Sequence, residues 1–451
     1  MQSRRKFLTY ASACGLAGLT SPVPGVYYHR AQQNFGDLRV TQIESHDIYP
    51  EYQDFLDYVL MHFYGPSKRT VYVVHTNQGL IGLGESNGAE PESTLQKYIG
   101  TNPFDWIGDE TSLGLGTAMY DLMGKASGVP VYKLFGQKYR SWIPVAAWTV
   151  STHPDRMAKA VQDYAEQGHT KMKFHLSPFE NVFDQTQAMQ NVAPKGFRIH
   201  YDFTMHGTED YMPGLLERLS EYEIAGFFED PLPGEDIDGY VELRQRSKLP
   251  IVLHHFPTAA TFEIFRRPAD AYMLGHSKIG DAVRRAGLFA ADNSPFMLQN
   301  SGSDITRAMT THMMAAFPSA TFHFVSATEV SRERFVTKPL HPINGFIRVP
   351  EQAGLGVELD MKEVKRLERV QPRSKPKFII VTSFDNGATL YTCPDPKNPH
   401  FMVRPDWSRT LMPMSFAAPL TSEYWDDDDS DQFDRMMVRI EKEGAVLEDC
   451  V

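Results

Sequence analysis

Three short stretches carry side chains that could act together. Lys171-Met172-Lys173 places two ammonium groups two residues apart, and in a strand residues so spaced face the same side. Burial and mutual repulsion would lower their pKa values, and a lysine so depressed works as a general base near neutral pH. Asp202 follows Lys173 by 29 residues, and Glu229 follows Asp202 by 27. Each closes a short apolar run. Two carboxylates on neighbouring strand ends, with open positions between them, suit a hard divalent cation such as Mg²⁺ that prefers oxygen ligands. Asp230 comes next and faces the other way, so it is expected to make a structural contact, held by Pro231-Leu232-Pro233.

The elements that must position these groups are short apolar runs separated by helical stretches. The runs are Trp142 to Val150, Thr170 to Phe174, Phe197 to Tyr201, Gly226 to Glu229, Pro250 to His255, Ala271 to Leu274, Pro295 to Leu298, and Thr321 to Val325. This rhythm implies a parallel sheet, and eight βα steps close a barrel whose chemistry sits at the C-terminal strand ends. The second strand is expected to end at Lys173, the third at Asp202 and the fourth at Glu229. Before the barrel, alternation from Leu38 to about Ser93 includes a hairpin turn at Asn77-Gln78-Gly79. Helical spacing over 92–135 then completes an α+β domain spanning 31–140. After Pro372 the rhythm stops. Asn386-Gly387 marks another hairpin, Asp426 to Asp429 read as a solvated loop, and an amphipathic helix follows from about Gln432 to Glu443.

The 451 residues include 45 Lys plus Arg against 56 Asp plus Glu, a formal charge of -11, which speaks against nucleic-acid binding. Cys14, Cys393 and Cys450 cannot form a disulfide framework, and no C-x-x-C occurs. The chain starts Ser3-Arg4-Arg5-Lys6-Phe7-Leu8, followed by a weakly apolar run to Leu19. That is the layout of a Tat export signal, so residues 1–30 are set apart from the fold and a periplasmic or extracytoplasmic protein is expected. No other stretch reaches the ~18 apolar residues of a membrane span, so the mature protein should have no stable span.

Thr76-Asn77-Gln78-Gly79-Leu80-Ile81-Gly82-Leu83-Gly84-Glu85, Gly124-Lys125, Pro130 to Gly136, the Lys-x-Lys pair, Gly345 to Pro350 and Gly354 to Asp360 form an ordered set. Together they resemble the mandelate racemase and muconate lactonizing enzyme family of the enolase superfamily, from about Leu38 to Glu368. The resemblance implies an α+β capping domain over a modified (β/α)₇β TIM-type barrel. The barrel would occupy 141–330, with 331–371 returning to complete the cap and 372–451 left as a C-terminal extension. It also implies metal-assisted removal of the proton α to a carboxylate, with the metal neutralising the developing enolate and a lysine or histidine taking the proton.

The sequence departs from that family's pattern at three places. The third metal ligand, a carboxylate ending strand five, aligns with His255, which shifts preference toward Mn²⁺, Fe²⁺, Zn²⁺ or Ni²⁺. His254 and His200 are expected to alternate away from the barrel mouth. Gly275 stands where strand six carries an Asp or a Lys, with His276 beside it, and Gln299 stands where strand seven carries a His. Glu329 is the one acid near strand eight, read as an ordinary loop residue. What remains is Lys173 as base, Lys171 as its neighbour, His276 or His206 as a proton donor, and Asp202, Glu229 and His255 as metal ligands. A one-sided site argues against racemisation. The reading is therefore a divalent-metal-dependent dehydratase or related lyase, acting on a small carboxylate such as an acid sugar, in a homo-oligomer. The alternatives are a degenerate barrel that binds a carbohydrate acid without turnover, and a transition-metal enzyme built on the strand-end histidines.

Overall fold

The computed structural model describes residues 35–255, 261–394 and 416–448; the expected export signal, residues 1–30, lies outside them. Chain contacts divide the protein into two units, Met1–Asp37 and Leu38–Val451. The described part of the first is a 3-10 turn at Phe35–Asp37.

The second unit opens with an antiparallel sheet of β1 (Val40–Ile48), β2 (Arg69–Thr76) and β3 (Ile81–Ser86). The β2–β3 turn falls on the expected residues, with Gly79 at φ +76° and the Thr76 hydroxyl bonded to the Leu80 carbonyl. Helix α1 (Asp54–Tyr64) lies between β1 and β2, and α2 (Glu92–Tyr98), α3 (Leu113–Ser127) and α4 (Tyr132–Phe135) follow β3. Helix α3 sits directly on β3 because that strand carries glycines. A Cβ at Gly84 would lie 2.0 Å from the Gly114 carbonyl oxygen, so only a residue without one permits the approach.

Eight parallel strands follow: β4 (Trp142–Val150), β5 (Lys171–His175), β6 (Arg198–Asp202), β7 (Ala225–Glu229), β8 (Ile251–Leu253), β9 (Ala271–Gly275), β10 (Phe296–Gln299) and β11 (Phe324–Val325). Strand β11 pairs back onto β4 and closes the barrel. Each strand falls on an expected run. The connections carry α5 (Pro154–Glu166), α6 (Val182–Val192), α7 (Met212–Leu219), α8 (Ile237–Arg246), α9 (Ile279–Asp292) and α10 (Asp304–Ala316), while a 3-10 turn, Thr261–Arg266, lies between β8 and β9. Beyond the barrel, β12 (Phe346–Arg348) adds antiparallel to β4. Helix α11 (Met361–Leu367) returns to the cap, where the Leu367 carbonyl accepts the Tyr49 N–H.

Cap, barrel and return segment share one apolar core, with Val71, Met119, Met172, Phe228, Leu298 and Val364 all fully buried. A polar clamp reinforces it. Glu85, buried at the end of β3, accepts from the Ser303 and Thr306 N–H groups at the start of α10 and pairs with Arg69 at 3.1 Å. A carboxylate at a helix N-terminus meets both its unpaired N–H groups and its dipole.

The C-terminal extension is an antiparallel sheet of β13 (Phe378–Phe384), β14 (Thr389–Thr392), β15 (Leu420–Asp426) and β16 (Val446–Glu448), ordered β15-β13-β14-β16. Helix α12 (Asp431–Glu443) packs on it around Ile379, Phe433, Met436 and Ile440. The hairpin and helix match expectation, and Asp427 to Asp429 form the expected exposed loop. The sheet docks on α1, where Tyr58 stacks on Tyr424 at 5.3 Å and Asp426 lies 2.5 Å from His62. It also docks on the loop after β5, where the Ser422 hydroxyl donates to the Phe179 carbonyl at 2.8 Å.

Candidate active site

Strand β5 runs two residues past Lys173, and His175 pairs in register with Asp202. The residue that reaches the mouth is therefore His175, two positions beyond the strand end expected at Lys173. Lys171 opens the strand beside Arg198, and burial followed by the Arg198 charge lowers its pKa. It lies at the far end of the strand, so the expected lysine pair at the mouth does not form.

Lys173 points into the barrel and is 0% exposed. Its Nζ lies 2.8 Å from Glu229 Oε1, 2.9 Å from Asp202 Oδ2 and 2.7 Å from Gln299 Oε1. Burial alone would push the ammonium pKa down, but the two carboxylates outweigh it and the net shift is upward. That is the reverse of the depressed base expected from Lys-x-Lys.

Asp202 and Glu229 stand side by side at the ends of β6 and β7, as expected. Asp202 also accepts the Thr204 N–H at 2.9 Å and meets His175 Nε2 at 3.1 Å. Glu229 meets His200 Nε2 at 2.8 Å and His254 Nδ1 at 3.0 Å. Burial pushes the Glu229 carboxyl up, yet Lys173 and the two imidazoles bring it well below the usual range. His200 thus faces inward, contrary to expectation, sharing the Asp202 face of β6, with its Nδ1 2.9 Å from His323 Nε2.

The histidine that joins this cluster is His254, and His255 does not. Strand β8 ends at Leu253, and the next side chain enters the mouth above Val252. Gly275 makes the room: a Cβ there would lie 2.0 Å from His254 Nε2. His255 turns to Asp230, with Nδ1 2.6 Å from Oδ2. Asp230, in a left-handed conformation at φ +45°, also accepts the backbone N–H groups of His254 and His255, the structural role expected of it. Glu329 pairs with Arg307 at 2.5 Å in the core, away from the mouth.

An acidic cluster of the expected kind is present, with ligand atoms of Asp202, Glu229 and Asp230 all within 4.8 Å of one another. Its oxygens do not fit a divalent ion as arranged, because each of those on Asp202 and Glu229 faces a nitrogen of the protein.

Above the cluster lies a cavity of about 440 Å³. The barrel supplies Trp148, His175, His276 and Gln299; the cap supplies Tyr52, Tyr64, Lys68, Arg69 and Asn87; Arg334 comes from beyond β11. Of the aromatics on and beside α1, Tyr52 and Tyr64 face the cavity. Phe55 packs edge-on against Tyr164, and Tyr58 holds the extension. His276, just past β9, has φ +48° and donates its N–H to the Gln299 carbonyl at 2.7 Å. Although its ring opens on the cavity, its pKa is pushed down to about 4 by desolvation within the cleft and by His254, Arg69 and Lys173. Burial likewise lowers His175, against the pull of Asp202. Strands β5 and β9 are four apart in the closed ring of eight, so the two imidazoles approach the cavity from opposite sides.

The enolase C-terminal domain-like family matches residues 156–364. The chain is 24% identical over 346 residues to the N-succinyl-L-Arg/Lys racemase of Bacillus cereus, covering 67% of this chain and 91% of that one. It is 23% identical over 256 residues to the arabinonate dehydratase of Saccharolobus solfataricus, covering 54% and 68%. The fold matches the dipeptide epimerase of Cytophaga hutchinsonii, solved with Mg and a dipeptide, with a TM-score of 0.62 at 18% identity over 73% of this chain and 98% of that one.

Proposed function

The chain belongs to the enolase superfamily, and from that footing we propose that it is a lyase that dehydrates a small polyhydroxy carboxylate of the acid-sugar class. The observation that carries this reading is the cavity in which two low-pKa imidazoles, His175 and His276, face each other under a rim of basic side chains. Lys68, Arg69 and Arg334, paired with Asp47, Glu85 and Asp304, are the cations on that rim placed to meet a substrate carboxylate. His175, braced by Asp202, takes the proton α to the carboxylate. The imidazolium so formed returns that proton to the departing hydroxyl, so that water leaves and the enol collapses to a 2-keto acid. His276, kept uncharged, donates an N–H to the enolate oxygen as a neutral imidazole can. The acid-sugar relative supports the substrate class. The reading includes export by the Tat route, which rests on residues 1–30, and homo-oligomerisation.

The test is proton NMR in D₂O of the folded protein with a library of aldonic, uronic and aldaric acids. The expected result is loss of an α-proton signal with appearance of a 2-keto product, reduced about 10²-fold or more in His175→Asn. No exchange and no product with any acid would sink the reading. A second reading, binding without turnover, is favoured by the fully engaged Lys173 cluster. It would show as thermal stabilisation by an acid sugar with its α-proton intact.

A further inference from the structure

We propose that the ammonium of Lys173 is the resident cation of this barrel mouth, standing between Asp202 and Glu229 in place of a divalent ion. The inference concerns what fills the acidic cluster, and it stands independently of the reaction proposed above.

Geometry is the first ground. Lysine has three N–H donors; Nζ donates to Glu229 Oε1 at 2.8 Å and Gln299 Oε1 at 2.7 Å, touches Met273 Sδ at 3.6 Å, and forms an ion pair with Asp202 Oδ2 at 2.9 Å. Such spacings suit ammonium–oxygen contacts, whereas Mg²⁺ needs oxygens at about 2.0–2.1 Å in a near-octahedral set. Protein nitrogens also stand against the other carboxylate oxygens. Asp202 accepts the Thr204 N–H and lies 3.1 Å from His175 Nε2, and Glu229 is bonded to His254 and lies 2.8 Å from His200 Nε2. A divalent ion entering here would have to displace Lys173 and at least one imidazole.

The three departures from the family pattern provide the second ground, because they become one change. Gln299 presents a carbonyl oxygen to a Lys173 N–H, where an imidazolium would repel it. The carboxylate of the family pattern is lost at His255, and the imidazole that enters the mouth instead is that of His254, bonded to Glu229, so one negative charge fewer accompanies a monovalent cation in place of a divalent one. Gly275 leaves the space in which the His254 ring lies.

The test uses the full chain and reads metal content and stability rather than turnover. Wild-type protein, assayed by elemental analysis and by thermal unfolding with EDTA, Mg²⁺, Mn²⁺ or Zn²⁺, should hold no stoichiometric metal at this cluster and keep its Tm throughout. Lys173→Met should strand two buried carboxylates, lower Tm by several degrees, and gain a Tm rise with Mn²⁺ or Mg²⁺ that wild type lacks. One equivalent of metal in wild type that disappears in Asp202→Asn, or a Tm that EDTA lowers, would overturn the proposal. So would a Lys173→Met protein as stable as wild type that takes no divalent ion. If Lys173→Met does not fold, the wild-type and Asp202→Asn measurements decide the matter alone.

Discussion

Gly275 ends β9 without a side chain, and the His254 ring occupies the space beside it. Gly275→Ala should therefore push His254 off Glu229 at a cost of about 1–3 kcal/mol, the usual range for overpacking a filled site, measured by denaturant unfolding. The same change in a His254→Ala background should cost little, since the colliding ring is gone; equal costs in both backgrounds would refute the coupling. Asp202 and Glu229 were legible from the sequence because each is a charged residue closing an apolar run. The choice between His254 and His255 was not. Parallel barrel strands are apolar on both faces, so Pro250 to Leu253 carry no alternation from which to read which histidine turns inward. Strand β5 runs two residues past the expected end at Lys173, and Lys171, Lys173 and His175 keep one period-two stripe along it.

The extension shows the same limit at the level of elements. Its hairpin and helix were readable from Asn386-Gly387 and from the spacing of Phe433, Met436 and Ile440. Its seat was not, because Tyr58 and His62 on α1 look like ordinary packing residues until Tyr424 and Asp426 are set against them. Glu180, in the loop after β5 beneath β15, offers a test of that seat. It is 4% exposed and its Oε2 has no hydrogen-bond partner among the described residues. Burial first, with Glu423 adding to it against the Ser422 N–H, raises its carboxyl well above the usual range. Its folded pKa thus exceeds its unfolded one, so this group costs stability as pH rises above the ordinary value of 4.5. Glu180→Gln should stabilise the protein at pH 8 by about 1–3 kcal/mol, with the gain fading on acidification toward pH 4.5. A variant less stable than wild type at pH 8 would show that the carboxylate is needed there.

Across the whole molecule, closure of the barrel was legible because eight runs recur at βα spacing, whereas the return of the chain to the cap was implied by the family resemblance. The turn between β8 and β9 was not foreseen, since a 3-10 segment has no helical face to recognise. The common core also sets the protein's response to acid. His312 is 0% exposed, bonded to the Leu355 carbonyl at 3.0 Å, and burial lowers its pKa to about 4 from 6.5. Its folded pKa lies below its unfolded one, so its contribution is present above pH 6.5 and is lost as pH falls toward 4. The loss amounts to about 3 kcal/mol for this group. Stability measured across that window should fall in wild type and fall less steeply in His312→Asn; equal slopes would discount the residue.

Strand β15 is bonded to the cap through Tyr58 and to the barrel through Phe179. The two walls of the cavity are thus braced from outside by a third body that holds no part of it among the described residues. Such a frame ties the spacing of cap and barrel at the cavity to the seating of the extension, so that a change in the seat is felt at the mouth.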